Sequence, residues 1–210
     1  MSLARAKAQP AYTVHQYLAI ERAADERHYY LDGGIYAMAG ESDAHGIITV
    51  NLVGTLFHQL RGTPCQVRTK DTKVRSGPIL SAGETARGLF SYPDVLVLCG
   101  QPEYHDALKD VVLNPKVIFE VLSAGTEAFD RGEKFSRFQT LNPSLTDYIL
   151  VSQDRAQIEH FTRQLDGTWS YRRTTGLDAT VVIASINCTL KLADVYERVT
   201  LATDEPPASP

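Results

Sequence analysis

Two short, nearly continuous apolar runs, Asp94–Cys99 and Val117–Leu122, constrain this chain more than any other feature of its sequence. Runs of this length, without the alternation of a half-solvated strand, suit central strands covered on both faces. Each run carries one carboxylate that the apolar pattern does not account for. Tyr92-Pro93-Asp94 sets an aspartate at the mouth of the first, and Glu120 sits inside the second. Proline ahead of Asp94 suits the first position of a strand, where its missing N–H does no harm. A carboxylate in a strand core is costly unless it is paired, protonated or bound to a cation.

The segments around these runs read as a mixed set of helices and strands. Thr13 can cap a first helix running to about Asp25, with Tyr17, Leu18 and Ile20 on its apolar side. Tyr29–Met38 reads as a β-hairpin turning at Asp32-Gly33. Ser42 or Asp43 can cap a helix over about 44–61, where Ile48, Leu52, Leu56 and Leu60 repeat every four residues. Val53 and Phe57 broaden that stripe. Gln66–Arg75 alternates polar and apolar residues and reads as one strand. A helix over about 131–141 is followed by strands at Asp147–Ser152, Ala156–Arg163 and Trp169–Thr174, the last two joined at Asp166-Gly167.

This order predicts one α/β (α+β) domain over about residues 12–200: a mixed β-sheet flanked by helices, with an N-terminal helix and β-hairpin. Residues 1–11 read as a flexible leader and 201–210 as a disordered tail.

Composition removes several function classes. No apolar run approaches the roughly 20 residues of a membrane span, so no membrane partner is expected. Met1-Ser2-Leu3-Ala4-Arg5 lacks the apolar core of a secretory signal, and a cytoplasmic location follows by default. Cys65, Cys99 and Cys188 are odd in number and far apart, with no CxxC or Cys/His cluster. That pattern argues against structural zinc and reads as free cysteines, two of them in apolar strand-like runs. The net charge of -4 does not advertise a nucleic-acid binder. It does not exclude one whose carboxylate-rich site lowers the total.

Two carboxylates from adjacent strands meet the needs of a hard cation. Mg²⁺ takes one or two protein carboxylates and keeps its other positions for water and phosphate oxygens. The other reading is a buried salt bridge of Glu120 with Arg131 or Lys134. A phosphodiester-cleaving site also needs a positive group near the phosphate. Two residues after Glu120, on the same strand face, that place is taken by Leu122. Lys134 can serve if the first turn of the following helix points back toward the sheet. It can equally be a helix partner of Asp130, and Asp130 with Glu133 reads as a capping box.

Tyr30-Leu31-Asp32-Gly33, Met38-Ala39-Gly40, His45, Tyr92-Pro93-Asp94-Val95, Glu120-Val121-Leu122-Ser123, Asp130-Arg131-Gly132-Glu133-Lys134 and Asp147-Tyr148-Ile149-Leu150-Val151 occur in one order. The series resembles the Uma-two family of endonucleases, in the PD-(D/E)XK superfamily, over about residues 12–198. The resemblance implies a restriction-endonuclease-like fold and Mg²⁺-dependent (or Mn²⁺-dependent) hydrolysis of DNA phosphodiester bonds. It implies Asp94 and Glu120 as the metal ligands, and Lys134 as a transition-state lysine carried on a helix instead of a strand. His45 matches a family histidine that contacts a phosphate, donates a proton or helps cap its helix. Asp71 matches an acidic strand position without an assigned role. DNA is the implied partner, and a homodimer would supply two sites for double-strand cleavage, although no stretch defines an interface.

The chain also departs from that pattern. Tyr29 stands where similar members carry a glutamate, Gly34 replaces a frequent glutamate after the turn, and Ala124 replaces a frequent proline. Glu26, Asp32 and Glu41 are nearby acids, but none holds the matching position. One lost carboxylate leaves open a catalytically impaired nuclease-fold module that binds DNA or regulates.

Overall fold

The computed structural model describes residues 11–38, 40–77 and 87–201, so the expected leader and tail lie almost wholly outside the described residues. Thr13 caps helix α1 (Val14–Ala23): its hydroxyl accepts from the Gln16 N–H, and the Gln16 side chain accepts from the Thr13 N–H. The buried face of α1 is Tyr17, Leu18 and Glu21, whereas Ile20 is 42% exposed. Glu21 takes the inward place because its carboxylate accepts from the His28 N–H and from the Tyr92 hydroxyl.

The hairpin forms as the sequence predicts, from β1 (His28–Leu31) and β2 (Gly34–Ala37). Asp32 and Gly33 between them have φ of 43° and 92°, the left-handed pair of a two-residue turn. Helix α2 (Asp43–Leu60) starts at Ser42, whose hydroxyl accepts from the His45 N–H. Ile48, Leu52, Leu56 and Leu60 are buried in one core with Val95, Val97, Val117 and Phe119. Each leucine buried in this way contributes about 1.5–3 kcal/mol. The stripe is narrower than the sequence implied, since Phe57 is 63% exposed.

Residues 66–75 form two strands, not one. β3 (Cys65–Thr69) and β4 (Lys73–Ser76) are separated by a turn and enter different sheets. Further along come β5 (Leu89–Ser91), β6 (Val95–Cys99), β7 (Val111–Val112) and β8 (Val117–Leu122). Helix α3 (Glu127–Phe129), a π-helical turn at Asp130–Lys134 and helix α4 (Phe135–Leu141) run on without a break, so helical structure begins earlier than 131. The chain continues through β9 (Asp147–Ser152), β10 (Gln157–Arg163), β11 (Trp169–Thr175), β12 (Thr180–Ile183), β13 (Cys188–Lys191) and α5 (Leu192–Val195).

Among the described residues the largest sheet has the order β11-β10-β9-β8-β6-β3, with β8 and β9 parallel and its other pairs antiparallel. A five-stranded sheet, β2-β1-β5-β4-β7, carries the hairpin, and β12-β13 form a ribbon. The α/β expectation of mixed sheet and flanking helices holds, with the hairpin extended into a sheet of its own. Val117, Phe119 and Val121 of β8 face the α2 core, while Ile118 and Leu122 face a second core with Phe138 of α4 and Tyr148. Burial of both faces is the physical reason for the apolar run.

The cysteine reading needs correction. Cys65 and Cys99 are opposite each other in the β3–β6 register and form a disulfide; only Cys188, which is buried, is free. Strand pairing joins residues 34 apart in sequence, a proximity that their spacing does not reveal. Such a bridge persists in an oxidising milieu, and in a reducing cytosol the pair stands as two thiols. No helix among the described residues is long and apolar enough to cross a membrane.

Candidate active site

β6 and β8 run antiparallel with Val95 opposite Phe119. One further step of that register sets Asp94 opposite Glu120, so the pairing itself brings both acids to one end of the sheet. Asp94 extends the ladder with its side chain, as Oδ2 accepts from the Val121 N–H at 2.7 Å. Oδ1 lies 2.9 Å from His45 Nε2. A carboxylate only accepts, so Nε2 carries the proton. The first turn of α2 delivers His45 to this position, while Ser42 performs the capping.

Glu120 projects from the face of β8 shared with Ile118 and Leu122 and is 2% exposed. Lys134 Nζ is 2.7 Å from Glu120 Oε1 and 2.9 Å from Asp130 Oδ1. The approach to Oε1 is off the hydrogen-bond direction, so that oxygen has a charge neighbour but no aligned donor. Lys134 reaches inward because the chain widens into a π-turn there, a departure from α-helical phase often found at functional sites. Asp130 and Lys134, four residues apart, are both buried, and the Tyr148 hydroxyl donates to the Asp130 carbonyl at 2.9 Å.

Lys134 thus pairs with Asp130 and also forms with Glu120 the buried salt bridge that the sequence left open. The expected capping box is absent. Asp130 lies inside the helical run, and Glu133 pairs with Arg137 at 2.7 Å. Arg131 is not the partner of Glu120, since it binds Glu127 and Glu159.

Charge balance in this cluster is uneven. Burial pushes the Glu120 carboxyl well above the usual carboxylate range; Lys134 pulls it back, and Asp130 and Asp94 push it further up. Burial also works against the Lys134 charge, but Asp130 and Glu120 outweigh it and hold the ammonium above the usual lysine range. Asp94, Glu120 and Asp130 thus surround one ammonium. A deficit of positive charge, with a buried carboxylate oxygen lacking an aligned donor, fits a hard cation. Among the described residues no three His, Cys, Asp or Glu side chains are grouped to hold a metal ion. The chain would supply Asp94 and Glu120 alone, which suffices for Mg²⁺ with water filling the rest of its shell.

Asp94, Glu120, His45 and Lys134 line one cleft of about 930 Å³. Arg27 and Lys70 also line it, and Lys70 pairs with Glu41 at 2.7 Å. Glu41 Oε2 lies 4.0 Å from His45 Nε2. Nothing in local spacing marks Arg27 or Lys70 as part of this site, whereas Asp130 is marked by its place four residues before Lys134. Glu26 and Glu41 reach the cleft, whereas Asp32 is engaged by Arg137 and the Gly88 N–H. Asp71 sits in the turn after β3, exposed and paired with Arg27, away from the carboxylate cluster. Tyr29 enters the cleft as an aromatic ring packed on Tyr36 and Phe129.

The mixed sheet thus brings two acids to one end, where the π-turn adds a lysine. Residues 14–193 match the model of the Uma2 family, described as "Putative restriction endonuclease", and the chain belongs to that family. Two uncharacterized proteins of Synechocystis sp. are similar to it. One is 35% identical over 160 residues, covering 76% of this chain and 78% of its own length. The other is 29% identical over 169 residues, covering 80% and 90%. A crystal structure from Anabaena variabilis, titled "a putative nuclease belonging to DUF820", matches with a TM-score of 0.70 at 13% identity. The match covers 90% of this chain and 99% of that one, and it shows a shared fold.

Proposed function

We propose that this chain is a Mg²⁺-dependent endonuclease that hydrolyses DNA phosphodiester bonds, with Asp94 and Glu120 holding the cation. The observation that carries this reading is the convergence of Asp94, Glu120, Lys134 and His45 in one cleft from four separate elements. When bound, Mg²⁺ (or Mn²⁺) supplies a Lewis acid for the phosphate oxygens and lowers the pKa of water. Lys134 offsets charge that builds on the phosphate as the P–O ester bond breaks. An ammonium has three donors, and Asp130 and Glu120 engage at most two of them, which leaves one for a substrate oxygen. Asp94 orients His45 by accepting from Nε2, which leaves Nδ1 to contact a phosphate or, when protonated, to donate its proton to the leaving oxygen. Arg27 and Lys70 supply positive charge along the backbone path.

The test is cleavage of end-labelled DNA by wild type and Glu120→Ala in EDTA, Mg²⁺ or Mn²⁺. Cleavage that needs the cation and vanishes in the variant supports the assignment; cleavage that survives Glu120→Ala unchanged rejects it. A second reading is favoured by one specific feature, the Tyr29 ring in place of a family carboxylate. On that reading the fold is kept as a DNA-binding or regulatory module. DNA bound at low salt but left intact in both Mg²⁺ and Mn²⁺ is its signature.

A further inference from the structure

The cleft has an aromatic wall that the hydrolytic chemistry does not use. Tyr29 and Tyr36 face each other across β1 and β2, with ring centroids 4.9 Å apart and planes 14° from parallel. Phe129 lies against Tyr29 at 5.1 Å and immediately precedes Asp130, the partner of Lys134. Tyr29, Phe129 and Met38 line the cleft, and Tyr36 is 41% exposed.

This wall depends on a glycine. A Cβ at Gly34 would come within 2.5 Å of the Tyr36 ring. Tyr29 and Gly34 therefore act together on Tyr36. Gly34 clears the space in which Tyr36 lies, and Tyr29 gives it a ring to lie on. The result is an aromatic stack at the edge of the cleft, with Tyr29 lining it and Tyr36 as the exposed member.

A flat shelf next to a phosphate site matches one feature of a nucleic-acid strand. In a duplex the base faces are covered by their neighbours, and only edges and backbone are presented. An unpaired base exposes its face, and stacking on an aromatic side chain is how proteins hold it without reading sequence. Resting on the nuclease reading above, we infer that the preferred substrate is DNA with an unpaired base beside the scissile phosphate. That base stacks on the exposed Tyr36 ring, which Tyr29 backs, while Arg27 and Lys70 follow the backbone in the adjoining cleft.

The experiment uses the full chain in EDTA at low salt, so that binding is read without cleavage. The probes are a single strand carrying one 2-aminopurine and the duplex of the same sequence. The single strand is expected to bind more tightly, with its fluorescence quenched. Tyr36→Ala should weaken that binding roughly ten-fold or more and relieve the quenching, while Tyr36→Phe restores both. Gly34→Ala, which displaces the ring without removing it, should act in the same direction. Equal binding of the two DNAs with no effect of Tyr36→Ala overturns the shelf and leaves the nuclease reading standing. Failure to bind either DNA in EDTA, with no cleavage of either when Mg²⁺ or Mn²⁺ is then added, overturns both.

Discussion

Replacing Glu120 by glutamine separates a functional charge from a structural one. The carboxylate is 2% exposed and shares a single lysine with Asp130, with Asp94 close by. If the charge served the fold, breaking its buried pair would cost about 3–5 kcal/mol. Our account gives the opposite sign. Glutamine keeps the volume and leaves an oxygen for Lys134, while Asp130 still balances the ammonium. The desolvation of one surplus carboxylate is removed, so stability in EDTA should rise by about 1 kcal/mol. For a domain of this size that is about 2–4 °C in Tm. Adding Mg²⁺ to about ten times its Kd should stabilise wild type by about 1.4 kcal/mol, and the variant hardly at all. Thermal unfolding of both proteins, with EDTA and with Mg²⁺, reads the four values. A variant that loses about 3 kcal/mol or more in EDTA would falsify the assignment of Glu120 as a metal ligand and make it a structural ion pair.

Three other predictions address separate parts of the molecule. Asp147 is 1% exposed; burial raises its pKa, but hydrogen bonds from His160, Ser185 and Thr146 outweigh that and hold it below the usual range. Its folded pKa is therefore below its unfolded value, so its stabilisation is present above about pH 4 and is lost as pH falls through the folded pKa. Urea titrations in that acid window should show this loss in wild type and not in Asp147→Asn; identical pH dependence in the two contradicts it. Breaking the Cys65–Cys99 bridge by Cys65→Ser should cost about 2–4 kcal/mol, read as a lower urea midpoint, and an unchanged midpoint means the bridge does not restrain the chain. His45→Ala should lower the rate of DNA cleavage by about 10²-fold with little change in substrate affinity. A loss confined to affinity would make His45 a binding residue only.

The central strands were legible because burial of both faces leaves a run with no alternation to misread, and β8 and β9 fall on the expected residues. Asp94 and Glu120 stood out for the same reason, as charges inside such runs. What could not be read was pairing. That Asp94 lies opposite Glu120, and Cys65 opposite Cys99, depends on contacts between segments far apart in sequence. Local pattern misled where a polar side chain finds a distant partner. Ile20 outranks Glu21 in hydropathy, yet Glu21 is inward because Tyr92 and His28 satisfy it. Lys73 and Arg75, polar positions of what reads as one strand, are both buried, and the turn after Thr69 lies in the unbroken polar run 68–73 that interrupts the alternation. Lys134 was already a candidate from the residues, and the resemblance supported it, while its inward direction accompanies the π-turn, which breaks the periodicity that helix reading relies on.

The most direct test of the central claim is nicking of supercoiled plasmid by purified wild type, Asp94→Asn and Glu120→Gln, each in EDTA, Mg²⁺ and Mn²⁺. The account predicts relaxed and linear products from wild type only when a divalent cation is present, and none from either folded variant. Intact plasmid from folded wild type with both cations contradicts it and assigns the cleft to binding alone.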